Sequence, residues 1–344
     1  MSNLFVLNYH TIVPHWGFDV ACRTLDIQFR MLKAFCNVVP LEEICNYVVR
    51  GTPPRRTTVA VTFDDGYLDT FVYAIPLCRK HHIRATLFPI ASRIINDERI
   101  RPTLEDHWRG NVAYRDLYRT RRMDECNEEF FKTGHSDSFM SAAELRKASE
   151  TVDIGSHGSV HARVFCDDQI IDIYDGANGN GSTVYACGEK PVLGFPLFPE
   201  CSNLAVRHGA LRPEVKAYVR AIDSGYFLKK RWKLSLRGEL LNAFTERLTF
   251  ESDAERRRRV EDEIVSSKQR LEAITVRKVR YFAYPYGQRD PVLEQMVADH
   301  FDAGFTTDID IVRMHNKLPQ LPRAKVHRDI SSFISRLVKF SRRK

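Results

Sequence analysis

Short apolar segments alternate along the chain with segments whose apolar residues recur at helical spacing. This alternation is typical of a parallel sheet or barrel whose strands are connected by helices. We therefore predict an α/β fold. The predicted strands span residues 4–8, 58–63, 85–90, 152–155, 279–284 and 303–306, and the predicted helices span residues 24–35, 41–49, 67–81, 142–150 and 291–300.

Two long intervals, residues 93–140 and 165–275, interrupt this rhythm. The first is polar and mixes both charges, and the second ends in the charge-dense helical segment "SDAERRRRVEDEIVSSKQRLEAI". Insertions in such folds extend the loops and commonly shape the substrate site. We predict a single domain over residues 1–344 with these two insertions, the second of which is too long to lack structure of its own.

Composition and charge narrow the range of partners. The 344 residues are 43% hydrophobic, which excludes a disordered chain and allows a large core. The net charge is +8, but basic and acidic residues are interleaved, so an anionic partner is not required. The arginine run 256–259 is flanked by acids and predicts a solvated helix face, so we expect no nucleic-acid partner.

The C-terminal segment 331–344 combines an apolar face with basic residues. This pattern predicts a terminal helix that packs on the domain, and peripheral contact with an anionic membrane is the alternative. The N-terminus lacks the basic and apolar regions of a secretory signal, and the eight cysteines never occur at C-x-x-C spacing. We therefore expect a cytoplasmic protein with reduced thiols.

Two stretches carry candidate chemistry. The stretch "VAVTFDDGYLDTF", residues 59–71, ends a predicted strand on Asp64 and Asp65, although two acids before a glycine also occur in ordinary turns. The stretch "VDIGSHGSVHARV" ends another strand and spaces His157 and His161 four residues apart. Two imidazoles at this spacing can bind one metal ion, and a pair of surface or capped histidines is the alternative.

The positions of these groups favour a metal site. Asp65 and both histidines follow the C-terminal ends of predicted parallel strands, where such folds build their active sites. One carboxylate and two imidazoles leave positions open for water and substrate, as a catalytic divalent site requires. The neighbouring Asp64 is then available as a general base.

The motif "TFDDGY", the histidine pair and "FAYPYG" (282–287) together resemble the motifs of the polysaccharide deacetylases, carbohydrate esterase family four. The resemblance implies a distorted (β/α) barrel with Asp64 as the base. It also implies Asp65, His157 and His161 as ligands of a divalent metal, for which Zn²⁺ is the prediction and Ni²⁺, Co²⁺ and Fe²⁺ are the alternatives.

Two motif positions depart from the family pattern. Gly158 stands where the family has Ser or Thr, so a supporting hydrogen bond is expected to be missing, and Ala283 stands where the family has Arg. We expect Arg323, in "LPRAKV", to replace that cation beside Asp64. By the same resemblance, the backbone N–H of Tyr286 is expected to point at the developing oxyanion.

The opening "VLNYHTI" resembles the start of the poly-N-acetylglucosamine deacetylase subgroup, in which the histidine protonates the leaving amine. The predicted acid is therefore His10, with a capped histidine at a strand end as the alternative. His327, in "LPRAKVHRD", is the second candidate for the acid.

Together these residues predict a metal-dependent sugar N-deacetylase. The expected substrate is an N-acetylated sugar in a cytoplasmic glycan precursor or surface-polysaccharide pathway. A catalytically inactive carbohydrate-binding barrel is the alternative, which the predicted base and acid disfavour. Iron and oxygen chemistry from the same ligand set is a further alternative, but such oxygenases normally order their ligands as H-x-D/E with a distant histidine.

Overall fold

The computed structural model describes residues 3–13, 20–179, 181–326 and 328–342. The chain divides into two compact units. Unit one comprises Met1–Cys126, Ser136–Val160 and Asp262–Lys344, and unit two comprises Asn127–His135 and His161–Glu261. Most of the second long interval lies in unit two and has secondary structure of its own. The interpretation as one domain with two insertions stays a prediction.

The described residues form short strands and helices in alternation. The strands are β1 (Leu4–Tyr9), β2 (Ile12–Val13), β3 (Val20–Ala21), β4 (Asn37–Val38), β5 (Thr58–Asp65), β6 (Thr86–Pro89), β7 (Asp153–Ile154), β8 (Arg163–Phe165), β9 (Asp172–Ile173), β10 (Pro196–Leu197), β11 (Glu200–Ser202), β12 (Gly209–Leu211), β13 (Leu248–Phe250), β14 (Tyr281–Ala283), β15 (Ala303–Phe305) and β16 (Ala324–Lys325). The helices are α1 (Cys22–Phe35), α2 (Leu41–Arg50), α3 (Ile75–Lys80), α4 (Leu104–Trp108), α5 (Met123–Thr133), α6 (Ala142–Ala148), α7 (Gly181–Cys187), α8 (Pro213–Arg220), α9 (Trp232–Ala243), α10 (Asp253–Thr275), α11 (Pro291–His300) and α12 (Ile330–Arg342).

A parallel sheet lies at the centre of unit one. Its strand order is β16-β1-β5-β6-β7, and β4 also pairs with β5. The strands β1 and β5 are buried along their whole length, which explains why they are nearly continuous apolar runs rather than alternating ones. The predicted α/β fold with a parallel sheet is therefore confirmed.

Single bridges extend the order of strands in unit one. Ser156, just after β7, pairs in parallel with Phe282 of β14, and β14 pairs in parallel with β15. Phe305 of β15 then pairs in parallel with Leu321, shortly before β16. The C-terminal ends of β5, β7 and β14 therefore lie on the same edge, which is the edge that carries the candidate chemistry.

The six predicted strands and the predicted helices are confirmed, with small differences at their ends. The one change of type falls between residues 67 and 81. A π-helical turn, Thr70–Ala74, precedes α3 there, and the N–H of Ile75 donates to the carbonyl of Thr70. Pro76 follows at once and has no N–H to continue a regular ladder from the preceding turn.

The last helix, α12, packs on unit one. Phe333 and Phe340 are buried, and the ring of Phe340 lies 5.5 Å from that of Phe5 in β1. Asn3 Nδ2 donates to the carbonyl of Phe340 at 2.5 Å. The membrane alternative for this helix gains no support from that packing. Among the described residues, no helix has the length and apolar character needed to cross a membrane.

Unit two has its own antiparallel sheet and core. The sheet has the order β11-β8-β12-β13, and a cluster that includes Phe165, Phe195 and Leu236 packs beside it. Cys166 and Cys201 form a disulfide with their Cα atoms 5.9 Å apart. The expectation of eight reduced thiols is wrong for this pair, because antiparallel pairing of β8 and β11 brings together cysteines that are distant in sequence.

Candidate active site

The two acids stand where β5 ends. The register of β5 against β6 sets Asp64 opposite Phe88 and Asp65 opposite Pro89. The chain then turns sharply, with φ at 72° for Asp65 and 79° for Gly66. A Cβ on Gly66 would lie 2.9 Å from the Cβ of Pro89, so the turn requires glycine. The local sequence thus ends the strand with both carboxylates at the sheet edge.

Asp64 is almost fully buried and is bound through both carboxylate oxygens. Arg323 Nη1 donates to Oδ1 at 2.7 Å, and Arg323 Nη2 donates to Oδ2 at 2.8 Å. Asn8 Nδ2 also donates to Oδ2, at 2.9 Å. A carboxylate has about four accepting positions, so these three bonds leave about one for a water molecule or a substrate group.

Arg323 is fixed in place from several sides. It is fully buried immediately before β16, and its Nε donates to the carbonyl of Thr306 at 3.0 Å. Its Nη1 also donates to Thr62 Oγ1 at 3.3 Å, and its guanidinium lies 5.3 Å from the ring centre of Phe88. A planar guanidinium held in this way can keep a bidentate geometry toward Asp64.

This environment controls the ionisation of Asp64. Burial by itself would raise the pKa of this carboxyl group. The charge and hydrogen bonds of Arg323 outweigh that effect and lower the pKa of Asp64 to about 2. Asp64 is therefore an ionised acceptor at neutral pH.

The ring of His157 is oriented by a backbone carbonyl. Its Nδ1 lies 2.7 Å from the carbonyl oxygen of Ala283, which only accepts, so Nδ1 carries the proton and Nε2 presents a lone pair. Nε2 lies 3.6 Å from Asp65 Oδ1 and 3.9 Å from Asp64 Oδ2. Burial lowers the pKa of His157 more than the two carboxylates raise it. The imidazole is therefore neutral, as metal ligation requires.

Asp65, His157 and His161 form a cluster with metal-binding geometry. Each offers one ligand atom, and these atoms all lie within 4.8 Å of one another. Ligand atoms around a tetrahedral ion at about 2.1 Å are about 3.4 Å apart, close to the distance between His157 and Asp65. Two nitrogens and one carboxylate oxygen suit zinc and other first-row divalent ions. The residues present therefore fit a divalent ion and leave coordination positions open.

The predicted oxyanion donor lies in a tight turn after β14. Within Pro285–Gly287 the backbone of Tyr286 is non-helical, with φ at 59°, and φ is 68° for Gly287. Ala283, at the end of β14, donates its N–H to the carbonyl of Ser156 at 2.9 Å, so this strand runs beside the histidine segment. The role of the Tyr286 N–H stays a prediction.

Of the two candidate acids, only His10 is among the described residues. His10 directly follows β1, two residues beyond the Asn8 that donates to Asp64. Its Nδ1 is buried and has no hydrogen-bond partner among the described residues. His327 lies outside the described residues.

Asn8 is a site residue that the sequence reasoning missed. It lies in β1 opposite Thr62 of β5, two residues before His10, and its amide bonds Asp64. The available signal was a buried amide side chain within the otherwise apolar segment "LFVLNY". Buried amides generally have a hydrogen-bond partner, so that position predicted a polar neighbour.

Comparisons with known proteins agree with this geometry. The sequence model described as polysaccharide deacetylase matches residues 51–175 and 244–305, more than half of the chain. The chain belongs to the polysaccharide deacetylase family. The matched residues include Asp64, Asp65 and both histidines.

Sequence and structure relatives extend this finding. YxkH of Bacillus subtilis, which is named as a polysaccharide deacetylase, is 27% identical over 95 residues. That match covers 27% of this chain and 34% of YxkH, so the chain spans about a third of the length of this curated relative.

Three solved structures share the fold of this family member. IcaB from Ammonifex degensii is 17% identical, with 100% of this chain and 98% of that chain covered and a TM-score of 0.55. The BpsB deacetylase domain from Bordetella bronchiseptica is 18% identical, with 94% and 96% covered and a TM-score of 0.56. The Streptococcus pyogenes deacetylase PplD is 14% identical, with 99% of each chain covered and a TM-score of 0.55.

Proposed function

We propose that this deacetylase is a metal-dependent sugar N-deacetylase. The observation that carries the proposal is the convergence of Asp65, His157 and His161 within 4.8 Å, with the ionised Asp64 beside them. Three donors from two separate segments form a site for one ion, and the adjacent carboxylate remains available for proton transfer. A simple turn would not require a buried arginine on Asp64.

Asp65, His157 and His161 would hold the ion. A bound divalent ion polarises the acetamide carbonyl and makes water a nucleophile near neutral pH. Asp64 accepts the proton of the attacking water, because its accepting position is directed by the two bonds from Arg323 and the one from Asn8. Arg323 and Asn8 therefore act on the orientation of the base rather than on the substrate.

Two further groups complete the proposed reaction. The backbone N–H of Tyr286 donates to the oxygen that gains charge as the carbonyl becomes tetrahedral. His10 protonates the nitrogen that leaves as the amine. The place of His10 directly after β1, two residues beyond the Asn8 that donates to Asp64, supports this choice.

The proposed substrate carries an N-acetylated sugar. Family membership supports a polysaccharide or its precursor, and residence in the cytoplasm would select a nucleotide-linked or lipid-linked precursor. The cytoplasmic location and the precursor form are both part of the proposal. The IcaB and BpsB structures support the fold and do not fix the sugar of this chain.

Mass spectrometry of acetate release tests this function. Metal-loaded protein is incubated with nucleotide-linked, lipid-linked and polymeric acetamido sugars, with an Asp65→Asn variant as the control. We expect loss of one acetyl group from at least one class by the wild-type protein and not by the variant. Binding of a sugar without acetate release would instead identify a carbohydrate-binding barrel. Release that Asp65→Asn leaves unchanged would contradict the metal mechanism.

A further inference from the structure

The segment that carries both proposed ligand histidines has an unusual backbone conformation. Gly158 has φ at 77° and His161 has φ at 52°, in the left-handed region that non-glycine residues rarely adopt. For a non-glycine residue such as His161 this conformation is strained and persists only when surrounding contacts impose it. The residues that impose it are therefore candidates for setting the positions of the two imidazoles.

A chain of hydroxyl hydrogen bonds fixes the start of this segment. The N–H of Gly158 donates to Ser156 Oγ at 3.2 Å, and Ser156 Oγ lies 2.8 Å from Ser267 Oγ in α10. Ser267 Oγ donates to the carbonyl of Ile264 at 2.8 Å. Because each hydroxyl has one proton and a carbonyl only accepts, the order is fixed: Ser156 must donate to Ser267. Both serines are fully buried.

A carboxylate of the same helix holds the middle of the segment. Glu263 Oε1 accepts the N–H of Val160 at 3.2 Å, and Glu263 is buried. Val160 directly precedes His161. This bond gives a partly buried backbone N–H the acceptor that such groups generally need. Glu263 therefore restrains the peptide from which the second histidine projects.

Arg270 supplies the third contact through the neighbouring loop. Its Nε donates to the carbonyl of Ala91 at 2.9 Å, and its Nη2 donates to the carbonyl of Ile94 at 3.0 Å. The N–H groups of Ala91 and Ser92 in turn donate to the carbonyls of Gly158 and Ser159, at 3.0 and 3.1 Å.

These three contacts come from one side of one helix. Glu263, Ser267 and Arg270 follow each other at spacings of four and three residues, which places them on the same face of α10. From these contacts we infer that α10 is the positioning element of the histidine pair, with Glu263 and Ser267 as its positioning residues. Its side chains hold the histidine segment from outside the motif, at a place where Gly158 has no side chain that could form a hydrogen bond. The inference rests on the proposed metal function of Asp65, His157 and His161.

The expected consequence is a change in metal affinity. Residues that orient metal ligands typically contribute about 10–100-fold to affinity. Glu263→Ala removes the acceptor for Val160, whereas Glu263→Gln keeps an oxygen that can accept the same N–H. Ser267→Ala removes the acceptor for Ser156. Two exposed positions on the same helix, Asp262 and Ser266, offer matched controls.

The experiment measures zinc affinity of metal-free protein by competition with a chromophoric chelator, with circular dichroism as the folding check. Glu263→Ala and Ser267→Ala are expected to weaken zinc binding about 10–100-fold. Glu263→Gln is expected to retain most of the affinity, and the controls Asp262→Ala and Ser266→Ala to match wild type. If Ser267→Ala fails to fold, the two Glu263 variants decide.

Two outcomes would separate failure of this inference from failure of the proposed function. Wild-type affinity in Glu263→Ala, or equal loss in Glu263→Ala and Glu263→Gln, would overturn the positioning role of Glu263 while the metal site stands. Unchanged zinc affinity in Asp65→Asn, or no zinc binding by wild type, would overturn the metal site and the inference with it.

Discussion

Asp64 and Asp65 end an eight-residue strand that is paired on both sides, whereas His157 follows a strand of only two residues. The acids are therefore placed by the sheet itself, through register and the Gly66 turn. The histidines are placed by hydrogen bonds from α10 and from the loop after β6. The site thus has a sheet-held half, which carries the two acids, and a second half, which carries the histidines. The geometry of the second half depends on side chains distant in sequence.

Metal removal is expected to give the largest effect and to separate the two halves. Chelation should reduce deacetylation to background, and added Zn²⁺ should restore it. In hydrogen-exchange mass spectrometry, amides of residues 157–161 should exchange faster in the metal-free protein, because the ligands no longer restrain that turn. Amides of β5 should not change, because β1 and β6 pair with it. Equal acceleration in both segments would contradict the distinction.

Replacing the proposed base, Asp64, tests the sheet-held half alone. Asp64→Asn should lower kcat by roughly 10²–10⁴-fold, because an amide cannot accept the proton of the attacking water. Zinc affinity should stay close to wild type, because Asp65 and the two histidines remain. Steady-state kinetics and a zinc titration on the same preparation check both expectations. Loss of zinc together with activity would make Asp64 a ligand rather than a base.

Removing Arg323 should move the pH dependence of activity. Arg323 lowers the pKa of Asp64, so Arg323→Ala should raise that pKa, and the acid limb of kcat/KM should shift upward by roughly 1–3 pH units. Activity is then lost at acidic pH where wild type keeps it, while Asp64 is ionised again at higher pH. The matched variant Arg323→Lys keeps a cation and should shift less. An unchanged acid limb in Arg323→Ala would exclude this role.

The smallest expected effect is that of Asn8. Its amide supplies one of three hydrogen bonds to Asp64, and a bond to a charged group contributes about 1.5–3 kcal/mol. Asn8→Ala should therefore lower kcat by roughly tenfold, with KM and zinc affinity little changed. Asn8→Asp serves as a contrast, since a second carboxylate beside Oδ2 should be more harmful than the alanine. A larger loss in Asn8→Ala than in Asn8→Asp would contradict an orienting hydrogen bond.

The contrast between the acids, placed by the sheet, and the histidines, placed by distant side chains, explains what could be predicted from the sequence. The segment 58–63 reads as a buried strand from its composition, and its motif identifies Asp64 and Asp65, so the sheet-held half follows from local patterns. Arg323 could be predicted only because the family pattern has an arginine at the position where this chain has Ala283. Asn8 was missed, although its place in an apolar strand was visible. Glu263 and Ser267 belong to a helix whose charge pattern indicated only a solvated surface.

The prediction that all the cysteines are reduced was wrong for a related reason. Cys166 and Cys201 are separated by 35 residues, and local spacing does not reveal antiparallel neighbours. Two arginines of the run 256–259 also have contacts that charge pattern could not predict. Arg256 donates to the carbonyl of Leu204, and Arg259 pairs with Glu251. Long-range pairing determines these contacts, and one sequence contains no direct record of it.

The position of Arg323 also bears on how the protein matures. Asp64 is synthesised early, yet its bidentate partner comes from the segment just before β16, 259 residues later in the chain. Until that segment docks beside β1, Asp64 lacks its two hydrogen bonds from Arg323. A nascent chain that still lacks this segment therefore cannot have the complete candidate site. The environment of the proposed base is therefore complete only after the segment around β16 has paired with β1.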